Sequence, residues 1–149
     1  MKRSHILGFL VMGLGIASLA AKANAPSGRY TLNDDTVVDT KTGLTWQRAA
    51  SPNAETWTQA QTTCAGLIAT LPEGTWRLPT IKELQTLVDY SATTSPVLDA
   101  TAFPDMPGTA FWSLTPFAGT VDTAWMLEFA TGVPYSPLKT TPYYVRCVR

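Results

Sequence analysis

The chain has 149 residues, with 11 basic and 11 acidic side chains, two cysteines and one histidine. Balanced charge and a 45% apolar composition place it among globular domains, and exclude a disordered tail or a generally basic nucleic-acid binder. The length suits one domain with its own core.

The amino end reads Met1-Lys2-Arg3, then an apolar stretch from Ile6 to Ala20, then small residues. A basic start, a short apolar run and an Ala-x-Ala site predict a secretory signal over residues 1–23. Two such sites overlap, Ala21-Lys22-Ala23 and Ala23-Asn24-Ala25. The second leaves Pro26 at the new terminus, which disfavours it, so the cut is placed after Ala23. An uncleaved anchor helix is the alternative, although the stretch is short and Gly-rich for a membrane span. Cleavage takes Lys2, Arg3 and Lys22 away and no acidic residue, so the single domain 24–149 carries a net charge of −3. It also takes His5, the only histidine. Ser-His-Asp catalysis, Cys-His catalysis and His-ligated metal sites leave with it.

Arg29 to Leu32 reads as a strand and Asn33-Asp34-Asp35 as a turn. Thr36 to Asp39 and Leu44 to Gln47 form a predicted hairpin, joined by Thr40-Lys41-Thr42-Gly43. A first helix is expected from about Thr56 to Ile68. Thr56 and Gln59 have capping-box spacing, and Trp57, Ala60, Cys64 and Leu67 share one face. A second helix follows Pro79, with Thr80 and Glu83 as its capping box. Its stripe is Ile81, Leu84, Leu87 and Val88, and its end is expected near Asp89 or Tyr90.

Residues 91–110, with Pro96, Pro104, Pro107 and Gly108, read as a long ordered loop. Phe111 to Thr115 is a predicted strand, Pro116 to Thr123 a turn, and Ala124 to Ala130 another strand. In the latter, Trp125, Leu127 and Phe129 point one way, Met126 and Glu128 the other. Thr131 to Thr141 reads as a Gly/Pro loop. Tyr143 to Val148 reads as a last strand, with Tyr143, Val145 and Cys147 on its apolar face. Clustered helices and separate antiparallel strands make an α+β fold. An even cysteine count in an exported chain predicts a disulfide between Cys64 and Cys147, tying the first helix to the last strand.

Four stretches, in this order, resemble the motifs of the Lcl C-terminal domain family, the C-terminal domain of bacterial collagen-like adhesins. They are Thr42-Gly43-Leu44-Thr45-Trp46-Gln47-Arg48, Thr75-Trp76-Arg77-Leu78-Pro79-Thr80-Ile81-Lys82-Glu83-Leu84, Phe111-Trp112-Ser113 and Tyr144-Val145-Arg146-Cys147-Val148-Arg149. The resemblance spans about Tyr30 to Arg149. It implies a C-type-lectin-like fold, with two helices, a looped-out middle, antiparallel strands and a first-helix-to-last-strand disulfide. It also implies a surface or secreted bacterial domain, and the collagen-like adhesins use theirs to bind sulfated polysaccharides. This chain has no Gly-X-Y tract, and none of the Glu-Pro-Asn, Gln-Pro-Asp or Trp-Asn-Asp runs of calcium-dependent sugar-binding lectins.

Arg77 and Arg146 are each expected to be partly buried and paired with a carboxylate, with an anion contact as the alternative. Trp46, Trp57, Trp76, Trp112 and Trp125 are expected to pack in the core, with stacking on sugar rings as the alternative. Ligand candidates are the loop residues: Asp99 and Asp105, Phe117 and Asp122, Tyr135 and Lys139. The predicted function is an exported, non-catalytic binding module for a glycan or protein at the cell envelope or surface. No catalytic residue, metal, cofactor or nucleic-acid partner is expected. A structural or assembly role in the envelope or a surface appendage is the alternative. An enzyme reading leans on a fold shared with sulfatase-activating oxygenases, whose chemistry needs free active-site cysteines.

Overall fold

Short runs of β-branched and aromatic residues between turn residues build the first sheet. Strands β1 (Tyr30–Leu32), β2 (Thr36–Asp39) and β3 (Thr45–Gln47) form an antiparallel meander. The computed structural model describes residues 21–71, 74–106 and 108–149; most of the predicted signal, residues 1–20, lies outside them. Val37 stands opposite Trp46 across β2 and β3, and both are fully buried. Gly43, at φ 75°, makes the β2–β3 turn where its sequence position predicts it.

Two helices follow, and their starts obey local sequence rules. Helix α1 (Trp57–Gly66) begins after Thr56, whose N–H donates to Gln59 Oε1 at 2.9 Å. A 3₁₀ turn, Leu67–Ala69, extends it. Helix α2 (Ile81–Thr86) begins after Thr80, which exchanges hydrogen bonds with Glu83. Its end differs from the expected Asp89 or Tyr90. Arg29 Nη2 donates to Thr86 O at 2.5 Å, and the Asp89 N–H donates to Val97 O at 2.8 Å. The Arg29 cation caps the helix C-terminus at Thr86, and the bond from Asp89 to Val97 commits the chain beyond it to the next loop.

Strands β4 (Ala110–Pro116), β5 (Ala124–Glu128) and β6 (Val133–Tyr135) form a second antiparallel meander. Strand β6 lies in the stretch expected to be a loop. Its pairing with β5, Met126 opposite Tyr135, makes it a strand despite Pro134. Both faces of this sheet are covered, so Met126 is buried as well as Leu127 and Phe129, on opposite sides as the expected alternation along β5 has it. Phe111, Leu127 and Phe129 enter one core with Trp46, Leu84 and Phe103. Trp112, Ala124 and Met126 enter a second core with Ala60, Cys64 and Trp76. A sheet buried on both faces reads as a continuous apolar run.

The segment Tyr143–Arg149 is a seam between the two sheets, not the regular strand expected. Tyr144 pairs with Phe111 of β4 in parallel, and Val148 pairs with Trp46 of β3 and with Arg77 in antiparallel. Its side chains alternate between the cores: Val145 and Cys147 enter the second, Val148 the first. Cys64 and Cys147 form the predicted disulfide, both fully buried and 83 residues apart in sequence. The long loop after α2 is pinned by the buried side chains of Val97, Leu98, Ala102 and Phe103, and contains a cis Ser95–Pro96 bond. The described residues form an α+β fold with two three-stranded antiparallel sheets, two helices and one disulfide.

Candidate functional site

The β4–β5 turn and the segment after β6 meet at one end of the molecule, because Thr123 bridges to Leu138. This brings Phe117, Asp122 and Lys139 together, three of the predicted ligand residues. Lys139 is the hub. Its N–H donates to Asp122 O at 2.8 Å, its carbonyl accepts from Trp57 N–H at 3.0 Å, and its Nζ donates to Val121 O at 2.6 Å. The same ammonium stands 4.5 Å from the centre of the Trp57 ring. Trp57 is the first residue of α1, so Lys139 satisfies one orphan N–H of that helix.

Around this hub the tip is rigid below and apolar above. The Trp57 indole N–H donates to Ser113 O at 2.7 Å, and the Phe117 ring meets Trp125 edge-on at 5.2 Å. Val121 and Leu138 project outward, 83% and 56% exposed. No sequence signal marked these two; an apolar residue inside a polar turn is the one trace they leave. Tyr135 sits on edge strand β6 of the same sheet and is 51% exposed.

The other two candidates lie elsewhere and carry structural bonds. Asp99 Oδ1 accepts from the N–H groups of Thr101 and Ala102, and its Oδ2 from Ala25 N–H. Asp105 is exposed, and its backbone carbonyl accepts from Arg146 Nη2 at 3.1 Å.

Arg77 pairs with a carboxylate as expected, donating twice to Glu83 at 2.7 and 2.8 Å. That hydrogen bonding holds the Glu83 carboxyl below its ordinary range, against the opposing effect of burial. Arg146 does not pair with a carboxylate. Its guanidinium, 1% exposed, donates to the carbonyls of Gln47, Arg48 and Asp105 and lies 4.8 Å from the Phe103 ring centre. Burial pushes it down to about 9, so it stays charged at neutral pH. Trp46, Trp76 and Trp112 are core residues, whereas Trp57 and Trp125 are half-buried at the tip.

A cleft of about 570 Å³ on another face is lined by Asp34, Asp35, Thr70, Trp76 and Arg149, and by none of the predicted ligand residues. Trp76 is buried there, with its indole N–H bonded to Leu71 O, so it presents no stacking face. Among the described residues no three His, Cys, Asp or Glu side chains gather as a metal set, and no helix is long and apolar enough to cross a membrane.

The model of the Lcl C-terminal domain family matches residues 35–149, from the β1–β2 turn through the seam. The chain belongs to the Lcl C-terminal domain family. No curated protein matches it. Membership points to a surface-associated binding module, and with the disulfide it is consistent with an extracellular location. The Lcl domain match covers both helices and both sheets except β1, so the tip around Lys139 lies wholly within it.

Proposed function

We propose that this Lcl domain is an exported, non-catalytic binding module that recognises a glycan or a protein at the bacterial envelope or cell surface. The observation that carries the reading is the tip: exposed Val121 and Leu138 beside a fixed Lys139 ammonium and the half-buried aromatics Trp57, Phe117 and Trp125. Apolar and aromatic groups with a few oriented polar ones are what a ligand surface needs. A net charge of −3 for residues 24–149 favours a neutral glycan or a protein surface over a sulfated polysaccharide.

A C-type-lectin-like architecture fits this reading. The disulfide from α1 to the seam and the long loop between α2 and β4 support it. The absence of catalysis is supported by the chemistry left in residues 24–149, which have no histidine and whose two cysteines are bonded to each other. A role in envelope or appendage assembly is the second reading, favoured by the exposure of the apolar side chains Val121 and Leu138 at the tip.

A glycan array probed with the oxidised mature protein tests the first reading. Binding that is lost in the Val121→Asp/Leu138→Asp variant, with its melting temperature retained, supports it. An empty array, with an envelope protein captured by the wild type and not by the variant, moves the function to assembly. Binding unchanged in the variant refutes the tip as the site.

A further inference from the structure

The segment 21–25 runs along the 89–101 loop. Ala21 and Thr93 exchange hydrogen bonds at 2.8 and 2.9 Å. Next, Asn24 N–H donates to Asp89 Oδ2 at 3.1 Å, and Ala25 N–H donates to Asp99 Oδ2 at 2.9 Å. Each carboxylate is aimed by its own loop. Asp89 Oδ1 accepts from the Ser91 N–H and hydroxyl at 2.9 and 2.6 Å. Asp99 Oδ1 accepts from Thr101 N–H at 2.8 Å and Ala102 N–H at 3.0 Å. One oxygen of each aspartate therefore serves the loop, and the other meets one nitrogen of the amino-terminal segment, Asn24 N for Asp89 and Ala25 N for Asp99.

The two candidate cleavage points flank these nitrogens. A cut after Ala25 removes both. A cut after Ala23 keeps both and changes the first from an amide to an amine.

We infer that the protein's own processed amino terminus is the ligand of Asp89 and Asp99: cleavage between Ala23 and Asn24 installs an ammonium–carboxylate pair that clasps the 89–101 loop. This rests on the exported reading. The reaction is hydrolysis by an export endopeptidase. The Ala23–Asn24 C–N bond breaks, the hydroxyl of water goes to the Ala23 carbonyl, and its hydrogen goes to the Asn24 nitrogen. The proton of the new carboxyl group then passes to that nitrogen, leaving a carboxylate on the leader and an ammonium on Asn24. An ammonium brings three donors and a full charge where the amide had one neutral donor. The uncleaved chain lacks this pair, so the clasp strengthens only after export. The charged groups around it are Asp89, Asp99 and Arg29, on whose guanidinium the Asp99 charge acts. Lys22 departs with the leader.

The full chain, exported and purified, is examined by intact mass and by NMR titration of the α-amine. The expected mass begins at Asn24. The ammonium is expected to titrate at least about half a pH unit above the ordinary range of roughly 7.7–8.0. Asp89→Asn should return it to that range. Chemically N-acetylated mature protein, which retains Asp89, should melt below the native protein at pH 6. That gap should close as pH rises through the elevated titration point, since a raised basic group stabilises only while protonated. A chain beginning at Pro26 overturns the inference and leaves the exported reading standing. An uncut chain that reaches the envelope overturns the inference alone, and an uncut chain held in the cytoplasm overturns both. A start at Asn24 with an ordinary titration and no effect of acetylation overturns the clasp alone.

Discussion

Arg146 is a buried cation whose partners are three carbonyl groups from two separate stretches, Gln47 with Arg48 and Asp105. Truncation leaves those acceptors without a donor, at about 1–3 kcal/mol for each buried group, together with a cavity beside Phe103. Arg146→Ala should therefore lose more than about 3 kcal/mol in urea unfolding, and Arg146→Lys should recover only part. A loss under about 1 kcal/mol would show that the fork is dispensable. Acid stability is a second property set by single residues. Burial pushes Asp39 up, but hydrogen bonds from Arg29 and the Lys41 N–H outweigh it and hold the carboxyl below its ordinary value. Glu83 is held below its own by Arg77. Depressed carboxyls contribute fully above their unfolded values, near about 4, and lose that contribution as pH falls through their folded ones. Melting temperature measured against pH should fall below about pH 4, and Asp39→Asn or Glu83→Gln should each flatten that fall. An unchanged acid slope in both variants would refute the assignment. The pairing of Arg77 was legible, since Glu83 is a near neighbour that also faces the Thr80 cap. The carbonyl cage of Arg146 was not, because its acceptors are 41 to 99 residues away.

At the level of elements, what sequence reveals is what is decided locally. The starts of α1 and α2 are capping boxes written within four residues, and both form as read. The end of α2 is decided by Arg29 and Val97, and β6 by its pairing with β5, so neither has a local signal. The tip proposed as the ligand site shares this property. Phe117, Asp122 and Lys139 were legible as loop residues, but their convergence depends on the bridge between Thr123 and Leu138. The β5–β6 turn gives a direct check of its geometry. Gly132 has φ 76°, and a Cβ there would stand 2.8 Å from Val88 Cγ1. Gly132→Ala should cost about 1–3 kcal/mol, from the left-handed conformation and from displacement of Val88. A neutral result in thermal unfolding would mean that the turn relaxes. Thr80→Ala should cost about 1 kcal/mol through loss of the α2 cap.

At the scale of the whole molecule, the disulfide closes a loop of 83 residues and fastens α1 to the seam inside the second core. In the chain-entropy model that cross-link contributes about 4–5 kcal/mol, a large part of a total of about 5–15 kcal/mol for a domain of this kind. Denatured, unreduced protein should yield no labelled thiols and reduced protein two. Cys64→Ala should melt lower by at least about 8 °C, and a change of a degree or less would contradict the staple. The α+β class and this pairing were legible because both depend on residue type and order. The sharing of one sheet between two cores was not, because covered and open faces differ only in what lies opposite them.

The seam also sets an order of events. Tyr143–Arg149 fills both cores and borders both sheets, so a chain stopped before Tyr143 leaves each interior open to water. A polypeptide made amino end first cannot close either interior until this stretch emerges. Closure of both interiors therefore waits on a single keystone.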